Sequence, residues 1–223
     1  MSTTIVSMGS CFSLSRVIKT PSSFCCHSTA SPFINVADED AWRLLVGWTL
    51  MALHPHGPYP ILRLGGEQDS AKTTTSTAIR NLIDPNESPL VGMPESEDAL
   101  MIMAHNARVA AFDNLSGVSK RMSDALCRLS TRGAYRARKL YRNLEEVIVS
   151  VTRPVILNGI DVASTRGDCL SRTVSLHLPP IAKTVRRSEA EFWTAYEAAR
   201  PRILGAILDA ISTALARKDQ ITL

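Results

Sequence analysis

Residues Tyr59–Thr74 read YPILRLGGEQDSAKTT. Pro60 to Leu64 is a short apolar segment of strand character, and it runs through a polar loop into a helical sequence. Gly66 and Lys72 stand six apart with Thr73 next, so the loop follows the pattern G-x-x-x-x-G-K-[ST] except that Ala71 replaces the second glycine. The pattern has a mechanism. Backbone N–H groups of such a loop, at a helix N-terminus, wrap a phosphate chain. The lysine reaches the outer phosphates, and the Ser/Thr hydroxyl holds a magnesium ion. A plain surface turn between strand and helix is the competing reading, and the residues downstream decide between the two.

A chain of 223 residues accommodates one sizeable α/β domain and a small appendage, and 45% hydrophobic residues supply an ordinary core. No apolar run reaches the roughly 18 residues that a membrane-spanning helix needs. The net charge of +4 gives weak support for an anionic partner. Five cysteines, at 11, 25, 26, 127 and 169, form no C-x-x-C pair and no zinc-like spacing, which points to a reducing compartment. Residues 1–37 contain no acid and nine serines, with Arg16 and Lys19 as the fixed charges. This composition suits either a transit-like segment or an atypical start, and poor order is expected there.

From Asp38 the character changes. DEDAWRLLVGWTLMAL predicts a buried helix with Asp40 as N-cap, stopped by HPHGPYP. His54 and His56 in that stop are expected to be solvated rather than metal-bound. Thr73 to Ile83 predicts a helix after the loop, and Ser96 to Asn106 another, with Glu97 and Asp98 in its first turn. Val109 to Phe112 then reads as a buried strand ending on Asp113 and Asn114. An acid belongs at the C-terminal tip of a parallel strand, where the loops build a site, and Asp113 there can hold the water shell of a magnesium ion that also touches Thr73. Ser119 to Arg132 is a helix with Met122, Ala125, Leu126 and Leu129 on one face.

Ala134 to Val151 alternates apolar and charged residues about Arg142–Asn143, which predicts a β-hairpin. Arg136, Arg138, Lys139 and Arg142 crowd its first strand and tip, interleaved with Tyr135 and Tyr141. That composition fits an arm touching nucleic-acid phosphates and bases; an ordinary solvated hairpin is the alternative. Arg153 to Ile160 is another buried strand whose tip, Asn158, is able to orient a water or touch a terminal phosphate. Its other reading is a turn residue before Gly159. Beyond it, Arg166 or Arg172 is placed to reach a neighbouring subunit's phosphate or to pair with Asp168, ahead of a last strand at Thr173 to Leu178. The end is helical: Ser188 and Glu191 form a capping box, and Pro201 is expected to open a second helix, the two making a small lid.

The ordered set of strand–loop–lysine, strand–Asp, basic hairpin, strand–Asn and arginine–strand resembles the P-loop ATPases of the AAA+ group, above all superfamily 3 helicases. More closely, GGEQDSAKTT, AAFDNLSGVSKRMSDALCRLSTRG, RPVILNGI and Arg172–Pro180 look like bacterial and prophage ATP-binding proteins related to phage primase-helicases. The resemblance covers about residues 33–217. It implies an α/β P-loop NTPase (AAA+/ASCE-like) three-layer sandwich with a mostly parallel sheet, a hairpin before the sensor strand and a C-terminal helical lid. The matching division is residues 1–32 as an atypical segment, 33–182 as the ATPase core and 183–223 as the lid.

Residue by residue, the resemblance implies a Walker A loop made of Gly66, Glu67, Gln68, Asp69, Ser70, Ala71, Lys72, Thr73 and Thr74 holding ATP. It further implies Thr73 and Asp113 on Mg2+, Asn158 as sensor, and Arg172, then Arg166, as the arginine acting across a subunit boundary. Asn114 stands where many relatives carry a catalytic glutamate, leaving Glu67 as another candidate acid or making hydrolysis slow. Asp69 stands where the family loop has glycine, and its charge is expected to weaken nucleotide binding relative to Asp69→Gly. The function implied is ATP binding and hydrolysis by a cytoplasmic, oligomeric, helicase-like protein acting on single- or double-stranded DNA with no membrane partner. A nucleotide-dependent switch with little turnover, or a degraded prophage remnant, is the alternative.

Overall fold

The computed structural model describes residues 28–131, 134–138, 146–159 and 167–217. In chain order its elements are α1 (Glu39–Leu53), β1 (Ile61–Gly65), α2 (Lys72–Ile83), α3 (Glu97–Asn106), β2 (Ala110–Phe112), α4 (Lys120–Thr131), β3 (Ala134–Arg138), β4 (Glu146–Ser150), β5 (Val155–Asn158), the single turn α5 (Gly167–Leu170), β6 (Thr173–His177) and α6 (Glu189–Ala216).

Among the described residues, four strands pair in parallel in the order β2-β5-β1-β6. Their registers set Leu64 opposite Asn158, Gly65 opposite His177 and Phe112 opposite Leu157, so the C-terminal tips share one edge. Both sheet faces are covered, which is why β1, β2 and β5 read as nearly unbroken apolar runs. Ile61, Phe112 and Leu157 pack with Leu100 of α3 and Leu126 and Leu129 of α4. Leu62, Leu64 and Ile156 pack on the opposite face with Leu45 and Trp48 of α1 and Ile79 of α2. Trp48 also donates its indole N–H to the Pro60 carbonyl at 2.7 Å, fixing α1 to the entry of β1. Beyond β2 the sheet gains a single parallel bridge from Val91 to Phe112. The strands β3 and β4 form a separate antiparallel pair, with Ala134 opposite Ser150 and Arg138 opposite Glu146.

Two local expectations are corrected. The cap of α1 is Asp38, whose carboxylate accepts from the Ala41 N–H at 2.8 Å, and Asp40 lies in the first turn. Asp38 has the extended backbone (φ −157°, ψ 177°) that an N-cap needs, whereas Asp40 is already helical and instead meets Arg43. The second correction concerns Pro201, which sits inside one continuous helix of 28 residues rather than opening a new one. A proline in a helix interior costs about 3 kcal/mol. Against it, Tyr196, Ile203 and Ile207 are buried on Trp42, Val46 and Leu50 of α1 and Ala78 of α2, at about 1.5–3 kcal/mol per large side chain. The burial wins. Burial also pushes the Tyr196 phenol above its ordinary range, and its hydroxyl donates to the Ala78 carbonyl at 2.6 Å. The expected capping box is present, with Ser188 and Glu191 exchanging both hydrogen bonds.

Candidate functional site

The turn from β1 into α2 sets the site. Gly66 has φ 156°, and a Cβ there would lie 2.5 Å from the Leu178 carbonyl and 2.7 Å from Ser70 Oγ, so the chain passes only as glycine. Asp69 (φ 67°) and Ala71 (φ 60°) are left-handed without being glycine. For alanine that conformation costs about 1–2 kcal/mol, while aspartate tolerates it better. Ser70 is fully buried and donates to the Glu67 carbonyl at 2.8 Å. The result is a loop that delivers the first amides of α2, those of Lys72, Thr73 and Thr74, with no acceptor for them among the described residues. Lys72 Nζ folds back over the loop and donates to the Gly66 and Glu67 carbonyls at 2.9 and 2.5 Å and to Ser70 Oγ at 3.3 Å.

Two strand tips meet this loop. The Asp113 carboxylate, one residue past β2, accepts on Oδ1 from Asn158 Nδ2 at 2.6 Å, from the Asn114 N–H at 2.7 Å and from Thr73 Oγ1 at 3.3 Å. Asn158 Nδ2 also reaches Thr73 Oγ1 at 3.3 Å. Asn158 is wholly buried, and its Oδ1 has no hydrogen-bond partner among the described residues. Asn158 lies opposite Leu64 in the sheet and so points to the α2 face, where Thr73 stands. Gly159 makes this junction possible, since a Cβ there would meet the Leu115 carbonyl at 2.2 Å. Asn114 takes φ 56°, which asparagine accepts readily, and is exposed at the rim. Loop residues 68–74 with Asp113, Asn114, Asn158 and Gly159 line one cleft. A second cleft adjoins it through Asp69, Ala71 and Thr74 and is walled by Phe33, Ile34, Asn35, Val185 and Phe192.

The structure therefore brings together Lys72, Thr73, Asp113, Asn114 and Asn158. Glu67 is exposed and contributes the carbonyl that Lys72 caps. Arg172 stands apart, at the N-terminal end of β6, where its guanidinium donates to Thr131 Oγ1 at 3.2 Å. Arg136 and Arg138 fall on β3, while Arg166, Lys139 and Arg142 lie outside the described residues, as do residues 1–27. Two residues unnoticed in the sequence also touch the loop. Asn35 donates to the Ser70 carbonyl at 3.3 Å, and Arg186 pairs with Asp69 at 2.9 Å. Asn35 carries no local signal at all, and the only one Arg186 carries is a basic side chain two residues ahead of the capping-box Ser188.

No curated protein matches the chain. Two solved structures of JCV helicase, one carrying a bound small-molecule acetamide, are similar at 12% and 13% identity, with TM-scores of 0.42 and 0.39. They cover 95% and 96% of this chain and 69% and 72% of their own chains. Among the described residues, no helix is long and apolar enough to cross a membrane. A protein-family model, that of the actinomycete integrative conjugative element replication protein, matches residues 30–222. That span runs from the segment carrying Asn35 through the loop and both strand tips to the end of α6, and the chain belongs to this family of replication proteins.

Proposed function

We propose that this replication protein binds ATP with Mg2+ in the loop cleft and hydrolyses it while acting on DNA as an oligomer. The observation that carries the reading is the meeting of Thr73, Asp113 and Asn158, three polar side chains from separate elements, at the mouth of a loop of helix-opening amides. A surface turn has no use for a carboxylate and a buried amide converging on its first hydroxyl. The residues fit the groups: the amides of Lys72 to Thr74 and the Lys72 ammonium favour polyphosphate, and Thr73 with Asp113 offers hard oxygen donors. When bound, Mg2+ neutralises charge on the β- and γ-phosphates.

The chain's own residues then have separable tasks. Lys72, released from the Gly66 and Glu67 carbonyls, stabilises negative charge on the outer phosphates. Asp113 is placed to hold the water shell of the metal, and the unpaired Asn158 Oδ1 is an acceptor for a water's O–H. The second cleft, with Phe33, Ile34 and Phe192 on its wall, offers apolar surface for the nucleoside. Arg136 and Arg138 on β3, with Lys139 and Arg142, are the proposed DNA contacts.

One observation favours a second reading, a nucleotide-dependent switch with little turnover. The residue after Asp113 is Asn114, whose side chain offers no carboxylate to activate water and whose backbone N–H donates to Asp113. ATP turnover by wild type and Lys72→Ala, with and without single-stranded DNA, separates the two. DNA-stimulated turnover lost in the variant supports the ATPase, and tight nucleotide binding without turnover supports the switch. A wild type that binds no nucleotide overturns both.

A further inference from the structure

The loop lacks glycine at two left-handed positions, Asp69 and Ala71, and its shape has to be held from outside. Two side chains remote in sequence do reach it. Asn35 Nδ2 donates to the Ser70 carbonyl at 3.3 Å and to the Pro179 carbonyl at 2.5 Å, so one amide spans the loop and the segment after β6. Arg186 donates through Nε and Nη2 to the Ile181 carbonyl, both at 3.0 Å, and its Nη2 lies 2.9 Å from Asp69 Oδ2. The Ile181 N–H in turn donates to the Asp69 carbonyl at 3.0 Å. Both the backbone and the carboxylate of Asp69 are therefore gripped by residues 181–186.

From these contacts we infer that Asn35 and Arg186 are positioning residues, a clasp that keeps the loop in its anion-receiving shape where glycines would keep it unaided. The inference rests on the reading of the loop as a phosphate binder. A glycine takes positive φ freely, whereas Asp69 gains by relaxing to negative φ, which turns the following amides away from a shared centre. Arg186 opposes that relaxation. It also sets a positive charge against the Asp69 carboxylate, which otherwise repels phosphate, so the aspartate is tolerated in the loop because the arginine is present. An isolated exposed ion pair stabilises little. Here the guanidinium is fixed in advance by the Ile181 carbonyl, and the grip falls on a residue whose conformation is otherwise unfavourable.

The test is a double-mutant cycle of wild type, Arg186→Ala, Asp69→Gly and the double variant, with two readouts. Hydrogen exchange without nucleotide at the Ile181 amide, which donates to the Asp69 carbonyl, reports the clasp directly, and titration with a fluorescent ATP analogue reports its use. Arg186→Ala is expected to speed exchange at the Ile181 amide and to weaken the analogue about fivefold, the scale of one well-oriented surface pair. In the Asp69→Gly background the same change is expected to stay within about twofold, because neither the strain nor the repulsion at position 69 remains. Asn35→Ala is expected to speed the same exchange as Arg186→Ala does, and Arg186→Lys to restore part of the affinity. Equal losses in both backgrounds, or unchanged exchange, overturn the clasp. If no variant binds the analogue yet Arg186→Ala loosens the loop only beside Asp69, the clasp stands and the nucleotide reading falls.

Discussion

The carboxamide of Asn158 has only one workable orientation. Its Nδ2 faces the Asp113 carboxylate at 2.6 Å and the Thr73 hydroxyl at 3.3 Å, and a carboxylate accepts but does not donate, so Oδ1 must point elsewhere. Elsewhere is a buried position with no partner among the described residues. Leaving a polar atom so costs about 1–3 kcal/mol, and under the proposed function a water held in the cleft supplies the missing donor. Asn158→Ala removes both the orienting N–H and the free acceptor while leaving Lys72 and the loop amides in place. Nucleotide affinity is expected to change by a few-fold at most, and turnover to fall about a hundredfold or more, as when one preorganised donor is lost. Single-turnover hydrolysis beside equilibrium binding measures the two separately. A parallel loss of binding and turnover places Asn158 in loop support instead.

At the scale of elements, α6 carries a local penalty imposed by tertiary packing. Pro201 is exposed, and its ring removes one intrahelical hydrogen bond, yet the helix runs on because Tyr196 and Ala199 before it and Ile203, Ala206 and Ile207 after it share one buried face. Pro201→Ala is expected to raise unfolding free energy by about 1–3 kcal/mol in denaturant titration, since it restores the bond without touching that face. A destabilised variant means that the proline shapes the docking of α6. This helix also shows where sequence reasoning stops. The local signals at Pro201 favour a break, and only the apolar partners on α1 and α2, more than a hundred residues away, outweigh them. The cap of α1 fails for a smaller reason. Asp38 and Asp40 are equally competent caps by type, and only the backbone angle at Asp38 selects between them. By contrast the strand tips were legible, because a polar residue ending a short apolar run has few places to sit in a sheet buried on both faces. Asn35 and Arg186 were not, since their contacts with Ser70, Pro179 and Asp69 join segments far apart along the chain.

At the scale of the whole molecule, the parallel sheet separates the polar residues of the loop cleft from Arg172. Lys72, Asp113 and Asn158 gather at the C-terminal tips, whereas Arg172 precedes β6 and its carbonyl accepts from the Ile61 N–H at 2.9 Å, at the opposite end of β1. Gly65 pairs with His177 and Ile61 with Thr173, so the backbone at Arg172 lies about 13 Å or more below the loop, at about 3.3 Å per residue. An arginine so placed cannot reach phosphate bound in its own loop without leaving Thr131. If Arg172 serves the reaction, it serves a neighbouring copy's site. Two inactive variants then become informative together. Lys72→Ala lacks a working loop but keeps Arg172, and Arg172→Ala keeps its loop but offers its neighbour no arginine. Mixed in equal amounts and allowed to exchange subunits, they are expected to recover part of the wild-type ATP turnover, because some interfaces then pair an intact loop with an intact arginine. A mixture no more active than the average of its parents, with Arg172→Ala unfolding at lower denaturant, leaves Arg172 as a brace between the start of β6 and the end of α4.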